Sequence, residues 1–364
     1  MKVLIIAQTP PPYHGQAVMQ EALVEAPWNW CTKKHIRLEY SQTIDDVGRF
    51  RIGKIAKLFR VVLSVFKERL KGRIDILYYP PAGPHKIPFY RDFLTLILTR
   101  WCARKVIFQF HAGNFDGLLG ILNPPEKVMA SFAYGRPEAA IVLLPLLEEE
   151  VRWIEPRRTF VVPNGIEDRY EIFRKKTDRD PRSILFVGSM SEKKGIMVCL
   201  EAARFLREMD VRFRFVFVGG WPSPLEQQAA EEFTRRNGLS ECIFTGTQFG
   251  EVKWEHYAKA GIFCLPTFDT EAMPMSILEA MMMSLPVVTT RWRGLPQMVN
   301  EGVDGFLAPA RDSSALADKL AFLLRDPSKG EEMGRRGREK YLKEYTIEKH
   351  LARMEEVFKT VATA

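Results

Sequence analysis

The feature that most constrains this chain is an alternation of short apolar, β-rich runs with longer amphipathic segments. Val3–Ala7, Ile74–Tyr79, Lys105–Phe110, Ala140–Leu144 and Thr159–Val162 are apolar throughout or nearly so. They are too short for helices and read as strands buried on both faces. Between them, Ile52–Leu70 and Tyr90–Ala103 carry helical spacing. The pattern then restarts. Ser183–Val187, Arg214–Val218, Cys242–Thr245, Ile262–Pro266, Val287–Thr290 and Gly305–Ala308 read as strands. Ile196–Met209, Pro224–Asn237, Met275–Ser284 and Ser313–Leu324 read as helices, and Ile347–Val361 is a final helix. A strand buried on both faces needs helices above and below it, which strand–helix alternation supplies. The chain is predicted to be α/β, with two doubly wound parallel sheets. Pro163-Asn164-Gly165 and the polar stretch Arg174–Arg182 place the boundary near 165–182.

Composition excludes several classes. With 364 residues, 46% hydrophobic and 27% charged, the chain has material for two cores and is not a disordered one. No apolar run is long enough to cross a membrane, and the first residues read as an opening strand rather than a leader. Cys31, Cys102, Cys199, Cys242 and Cys264 are odd in number and scattered, as expected of reduced thiols in a cytosolic protein. The net charge of +8 is local: residues 1–166 hold 23 basic and 15 acidic residues, whereas 167–364 hold 30 of each. Segment 49–73 alone has nine basic residues against Glu68. Such a patch suits an anionic partner.

Four segments carry candidate chemistry. In Ile262–Thr290 a strand ends in a loop with Glu271 and is followed by a helix containing Glu279. Ligands of open parallel sheets bind at the carboxyl ends of strands, and helix N-termini suit diphosphates. A loop carboxylate can accept bonds from sugar hydroxyls, and a helix carboxylate can hold a ribose diol. The plainer reading makes Glu271 an N-terminal helix carboxylate and Glu279 part of a solvated face. In the second segment, Gly188 ends a strand and Lys194-Gly195 opens the next helix, where a lysine can meet an anionic leaving group. An ordinary turn with solvated lysines fits equally. The third segment, Gln8–Ala17, holds three prolines, His14 and Gly15. The fourth places His111 at the end of Lys105–Phe110, where a histidine is also often only structural.

Taken in order, these motifs resemble the family 4 glycosyltransferases of the GT-B fold, and the region Tyr79-Pro80-Pro81…Phe89-Tyr90-Arg91-Asp92 is similar to members of the bacterial surface-polysaccharide type. The resemblance rests on Gly15, His111, Pro163-Asn164-Gly165-Ile166, Gly188…Lys194-Gly195, Val218-Gly219-Gly220, Glu271-x7-Glu279, Pro286-Val287-Val288 and Gly302-x-x-Gly305. It implies two Rossmann-like domains facing across a cleft that closes on substrate. Residues 1–166 with 347–364 would bind the acceptor, and 167–346 the nucleotide-sugar. Lys194, Glu271 and His111 match catalytic positions. Gly15, Gly188, Ser189, Gly219, Gly220, Gln248 and Glu279 match donor-binding positions, as do the backbone groups of Met273, Pro274, Met275 and Ser276.

The resemblance also implies transfer with retention from a UDP-sugar, with GDP the other base considered, to a lipid-linked saccharide hydroxyl. Same-face attack would put the demand on leaving-group charge. No metal and no other cofactor is expected, and Asp178-Arg179-Asp180 reads as solvated linker. Ser189 replaces a usual arginine, with Lys193, Arg291 or Arg293 able to compensate. Gln297 and Gln248 also depart from the pattern. In the basic segment, Ile52, Ile55, Phe59, Val62, Phe66 and Leu70 are expected to face the core, leaving lysines for an anionic membrane surface. The expected location is therefore cytoplasmic, peripheral on the inner face of the membrane. The rival readings are a nucleotide-sugar epimerase or hydrolase and a non-catalytic sugar-nucleotide-binding GT-B protein. A nucleic-acid partner is not expected, because no aromatic–basic signature accompanies the charge.

Overall fold

The computed structural model describes residues 1–11, 15–38, 52–173 and 177–364, and of 52–55 the backbone alone. The chain forms two compact units. One comprises Met1–Gly165, Thr270–Met273 and Ile347–Ala364, the other Ile166–Asp269 and Pro274–Thr346. The sequence-based boundaries differ from these chiefly in keeping Thr270–Met273 with the second unit.

The first unit runs β1 (Lys2–Ala7), α1 (Gly15–Glu25), β2 (Thr32–Arg37), α2 (Ile52–Leu70), β3 (Ile74–Tyr79), α3 (Lys86–Thr99), β4 (Ala103–Phe110), α4 (Gly117–Ile121), α5 (Pro124–Tyr134), β5 (Ala139–Val142) and β6 (Thr159–Val161). Its sheet is all parallel, in the order β2-β1-β3-β4-β5-β6. The second unit runs α6 (Tyr170–Phe173), β7 (Ser183–Val187), α7 (Ile196–Glu208), β8 (Arg214–Val218), α8 (Pro224–Arg236), β9 (Cys242–Phe244), α9 (Gly250–Lys259), β10 (Ile262–Leu265), α10 (Met275–Met282), β11 (Val287–Thr290), α11 (Leu295–Met298), β12 (Gly305–Ala308), α12 (Ser313–Arg325) and α13 (Pro327–Glu344). Its parallel sheet has the order β12-β11-β10-β7-β8-β9. Each sheet reverses its strand order once, between β1 and β3 and between β7 and β10. The carboxyl ends beside such a reversal diverge and leave a crevice for ligand.

The final helix, α14 (Ile347–Thr363), belongs to the first unit. Met354, Val357, Phe358 and Val361 are buried with Val3, Ile5, Tyr78 and Trp28 in one core. Phe358 lies 5.0 Å from the Trp28 ring and 5.6 Å from Tyr78. Each such side chain contributes about 1.5–3 kcal/mol of gross burial energy. Lys105 Nζ donates to the Val361 carbonyl at 2.6 Å, satisfying a helix end that lacks intrahelical donors.

The structure corrects the sequence reading in several places. On α2 the buried residues are Leu58, Val61, Val62 and Val65; of the face expected inside, Val62 is buried, whereas Phe59, Phe66 and Leu70 face outward. The buried and the exposed apolar faces lie about one residue apart along the helix. The part of the basic segment at 49–51 lies outside the described residues, as do the side chains of Ile52 and Ile55. Helix α3 begins at Lys86 because Pro88 is tolerated in a first turn, where amides need no intrahelical acceptor. It ends at Thr99, before a turn into β4. Strand β2 and helices α4, α5, α6, α9, α11 and α13 were not anticipated.

The stretch read as solvated linker is partly structural. Asp178 and Asp180 are exposed, but the Arg179 guanidinium donates to the carbonyls of Ser284 (2.9 Å) and Met283 (2.7 Å) after α10. Residues 174–176 of that stretch lie outside the described residues. All five cysteines are free thiols.

Candidate active site

In the second unit the candidate residues gather at the carboxyl ends of β7, β8 and β10, on both sides of the strand-order reversal. Gly188 and Gly219 follow β7 and β8, where strand pairing continues: Gly188 N–H donates to Val218 O at 3.0 Å, and Met190 N–H to Gly220 O at 2.9 Å. A Cβ on Gly219 would lie 1.8 Å from Gly188 O, so no other residue fits there. Gly195 has φ +85°, and a Cβ there would lie 2.4 Å from Pro266 O. It starts α7 directly against the loop after β10.

Lys194 closes a short turn capped by Ser191, whose Oγ accepts from Lys194 N–H at 3.3 Å. Lys193 O accepts from Phe268 N–H (2.8 Å) and Thr267 Oγ1 (3.2 Å), which ties this turn to the loop after β10. That loop is braced again by Trp292 Nε1 donating to Asp269 O at 3.0 Å and by the Arg311 guanidinium 4.5 Å over the Phe268 ring. Pro274 precedes α10, whose first residues are Met275 and Ser276.

Glu279 is not on a solvated face. It is 8% exposed, one turn into α10. Lys253 Nζ donates to Oε1 at 2.5 Å and Tyr257 Oη to Oε2 at 2.8 Å. Tyr257 also reaches Ser276 O at 3.3 Å. Burial, then the neighbouring Glu279 carboxylate, pushes the Tyr257 phenol well above its ordinary range, so it stays a donor. The sequence reading missed Lys253 and Tyr257. Their i,i+4 spacing, which puts both on one face of α9, was the available signal.

Of the three side chains weighed as substitutes at Ser189, Lys193 is exposed, and Arg291 lies 3.9 Å from Glu301. Arg293 is half-buried with φ 44°. Ser189 itself is exposed. Gln248 Nε2 donates to Thr245 O at 2.8 Å, which holds its side chain to its own loop.

In the first unit, Gly15 opens α1 after β1 and His111 follows β4. Pro12, Tyr13 and His14 lie outside the described residues. Behind His111 is a polar relay that the sequence reading did not find. Tyr78 Oη donates to Gln109 Oε1 and therefore accepts from Gln20 Nε2 at 2.8 Å. Gln20 Nε2 also lies 2.8 Å from His111 Nε2. With the amide so oriented, Nε2 of a neutral His111 accepts and Nδ1 carries the proton. Gln20, Tyr78 and Gln109 are all buried. Thr270–Met273 is part of this unit: Glu271 pairs antiparallel with Ala112, and Gly113 N–H donates to Thr270 O at 3.1 Å. His111 is thus one residue from the partner of Glu271. Met273 is buried beside it in sequence.

Residues 181–326 match the family model described as glycosyl transferases group 1. The chain is 33% identical over 168 residues to the amylovoran biosynthesis glycosyltransferase AmsK of Erwinia amylovora, with 44% of this chain and 40% of AmsK covered. It therefore spans less than half the length of that relative. To the phosphatidyl-myo-inositol mannosyltransferase of Mycobacterium leprae it is 31% identical over 306 residues, covering 80% of this chain and 75% of that protein. The solved structure of Anabaena HepE in complex with UDP and glucose matches with a TM-score of 0.73 at 15% identity, over 99% of both chains. At that identity the likeness is one of fold.

Proposed function

Because this chain belongs to the group 1 glycosyl transferases, we propose that it moves a sugar from a UDP-sugar to a hydroxyl of a lipid-linked saccharide in polysaccharide biosynthesis, with retention of configuration. The observation that carries the donor half of this reading is Glu279. A buried carboxylate held by Lys253 and Tyr257, beside the strand-order reversal, has lone pairs left to accept from a ribose diol. UDP as the nucleotide is supported by the name of the HepE complex, and a polysaccharide product by the name of AmsK.

Each site residue then has a physical task. Gly188, Ser189, Gly219 and Gly220 let backbone approach the nucleotide, and the Gln248 loop lines the base. The first amides of α10, at Met275 and Ser276 after Met273 and Pro274, meet the diphosphate. Lys194 adds a compact positive charge as the glycosidic bond breaks and charge builds on the departing oxygen. Glu271 accepts bonds from sugar hydroxyls. His111 presents a ring oriented by Gln20 to the sugar, and Gly15 leaves space near the phosphates. A leaving phosphate oxygen takes the acceptor proton, so no strong side-chain base is needed and no metal step is invoked.

Under this reading the protein works at a membrane surface, where a lipid-linked acceptor resides. Among the described residues, no helix is long and apolar enough to cross a membrane. The deciding experiment is mass spectrometry of products from a nucleotide-sugar panel with lipid-linked acceptors, run with and without EDTA. Transfer from a UDP-sugar, undiminished by chelator, supports the reading. Free sugar released without transfer would make the chain a hydrolase.

A further inference from the structure

Helix α3 packs between α2 and α5 on the first unit, and the three helices turn an unusual surface outward. On α2, Phe59, Leu63, Phe66 and Leu70 are exposed, Leu70 to 88%, at helical spacings that make one continuous stripe. On α3, Tyr90, Leu94 and Leu98 repeat this, followed by Trp101 at 64% exposure. Val128 (71% exposed) and Phe132 extend it on α5, with the Phe132 ring 5.7 Å from that of Trp101. An exposed apolar area of this extent marks an interaction surface.

The charges point the same way. Each helix has one acidic residue, and all three are buried: Glu68, Asp92 and Glu126. Glu68 pairs with Lys2 and Lys71 at 2.8 Å each. Asp92 pairs with Arg91 at 2.7 Å. Glu126 closes a capping box with Asn123 and meets Lys86 at 3.1 Å. The basic residues Arg60, Lys67, Arg69 and Lys127 stay exposed. The outer face of these helices therefore carries apolar groups and positive charge but no exposed carboxylate.

We propose that this three-helix face seats in an anionic lipid bilayer, with the apolar stripes below the headgroups and the basic side chains among them. The inference rests on the membrane-borne acceptor proposed above and extends it. Contact is made by insertion, and six of the ten inserting groups lie on or just after α3 and on α5, outside the basic segment 49–73. A bilayer matches both components of the surface, since lysine and arginine stems lie along apolar surface while their heads reach the phosphates. A second copy meeting this face about a two-fold axis would set like charges against each other.

The test uses the full chain with vesicles of phosphatidylcholine alone or with added phosphatidylglycerol. Leu98→Ser/Trp101→Ser removes two exposed apolar groups and no charge. Wild type should bind the anionic vesicles about tenfold or more tightly than neutral ones. The double variant should lose about tenfold in partitioning, with thermal unfolding and UDP binding unchanged. Wild-type-like partitioning by that variant overturns insertion and leaves surface charge alone. Self-association abolished by the variant, without vesicle binding by wild type, makes the face a dimer interface and also overturns it. Failure of the transferase reading is separable: UDP binding would be absent while vesicle binding persisted.

Discussion

Replacing Glu279 by Gln tests the nucleotide reading at its most exposed assumption. The isostere keeps shape and lets Tyr257 donate to the amide oxygen, but it removes the charge and one acceptor. A ribose diol bonded to the carboxylate makes charge-assisted hydrogen bonds, and losing them costs about 1.5–3 kcal/mol. UDP affinity should fall by roughly 10- to 150-fold. The cost to the fold is smaller. Lys253 loses its partner, but its side chain is 24% exposed and water can take over. A loss near 1 kcal/mol lowers the melting temperature by about 2–4 °C in a domain of this size. Calorimetric titration with UDP and with inorganic pyrophosphate separates the two effects. Pyrophosphate has no ribose and should bind wild type and variant alike. An unchanged Kd for UDP, or equal losses for both ligands, would refute the assignment.

Other outcomes follow from the same geometry. Lys194→Ala should lower kcat by about 10²-fold with little change in KM, if the lysine meets leaving-group charge; single-turnover kinetics at saturating donor check this, and undiminished transfer sinks the role. Gln20→Leu removes the Gln20–His111 hydrogen bond, so turnover should drop about tenfold, and adding His111→Ala should cost little more; additive losses in that double-mutant cycle would mean the two act independently. Gly219→Ala forces a Cβ to 1.8 Å from Gly188 O; it should destabilise by about 3 kcal/mol or more, and a wild-type urea midpoint would contradict the close approach. Hydrogen bonds from Lys2 and Lys71 hold the Glu68 carboxyl at about 2, against an ordinary 4.5. A carboxyl lowered by folding stabilises above its unfolded value and loses that contribution as pH falls. The stability gap between wild type and Glu68→Gln should therefore close between about pH 5 and pH 2; a gap independent of pH would exclude the ion pair as its source.

The backbone plan was legible because buried parallel strands write themselves as short continuous apolar runs. Ile74–Tyr79, Ser183–Val187, Arg214–Val218, Val287–Thr290 and Gly305–Ala308 were located to the residue. Strand β2 was not, since Thr32–Arg37 is charged and lies at the sheet edge, where one side has no neighbour to demand apolar residues. Helix α13 escaped for a related reason: three glycines and many charges hide a helix whose buried glycines let neighbouring elements approach closely. At the candidate site the glycines, Lys194, Glu271 and Glu279 were legible, because local backbone demands and loop position leave marks in short motifs. Their supporting groups were not. Gln20 on α1 meets His111 and is linked through Tyr78 on β3 to Gln109 on β4, and Lys253 with Tyr257 meets Glu279 across more than twenty residues.

By itself, then, the sequence determined two parallel α/β sheets and the loops that end at their carboxyl edges, since strand period and turn chemistry are local properties. Tertiary structure decided which side of each helix is inside. On α2 two apolar stripes compete, and periodicity alone picked a mixed set, of which Val62 is buried while Phe59, Phe66 and Leu70 face outward. Tertiary packing buried Leu58, Val61, Val62 and Val65 and left Phe59, Leu63, Phe66 and Leu70 exposed. The same packing drew Glu68, Asp92 and Glu126 inward to cationic partners. It thereby left the helices' outer face with apolar groups and positive charge.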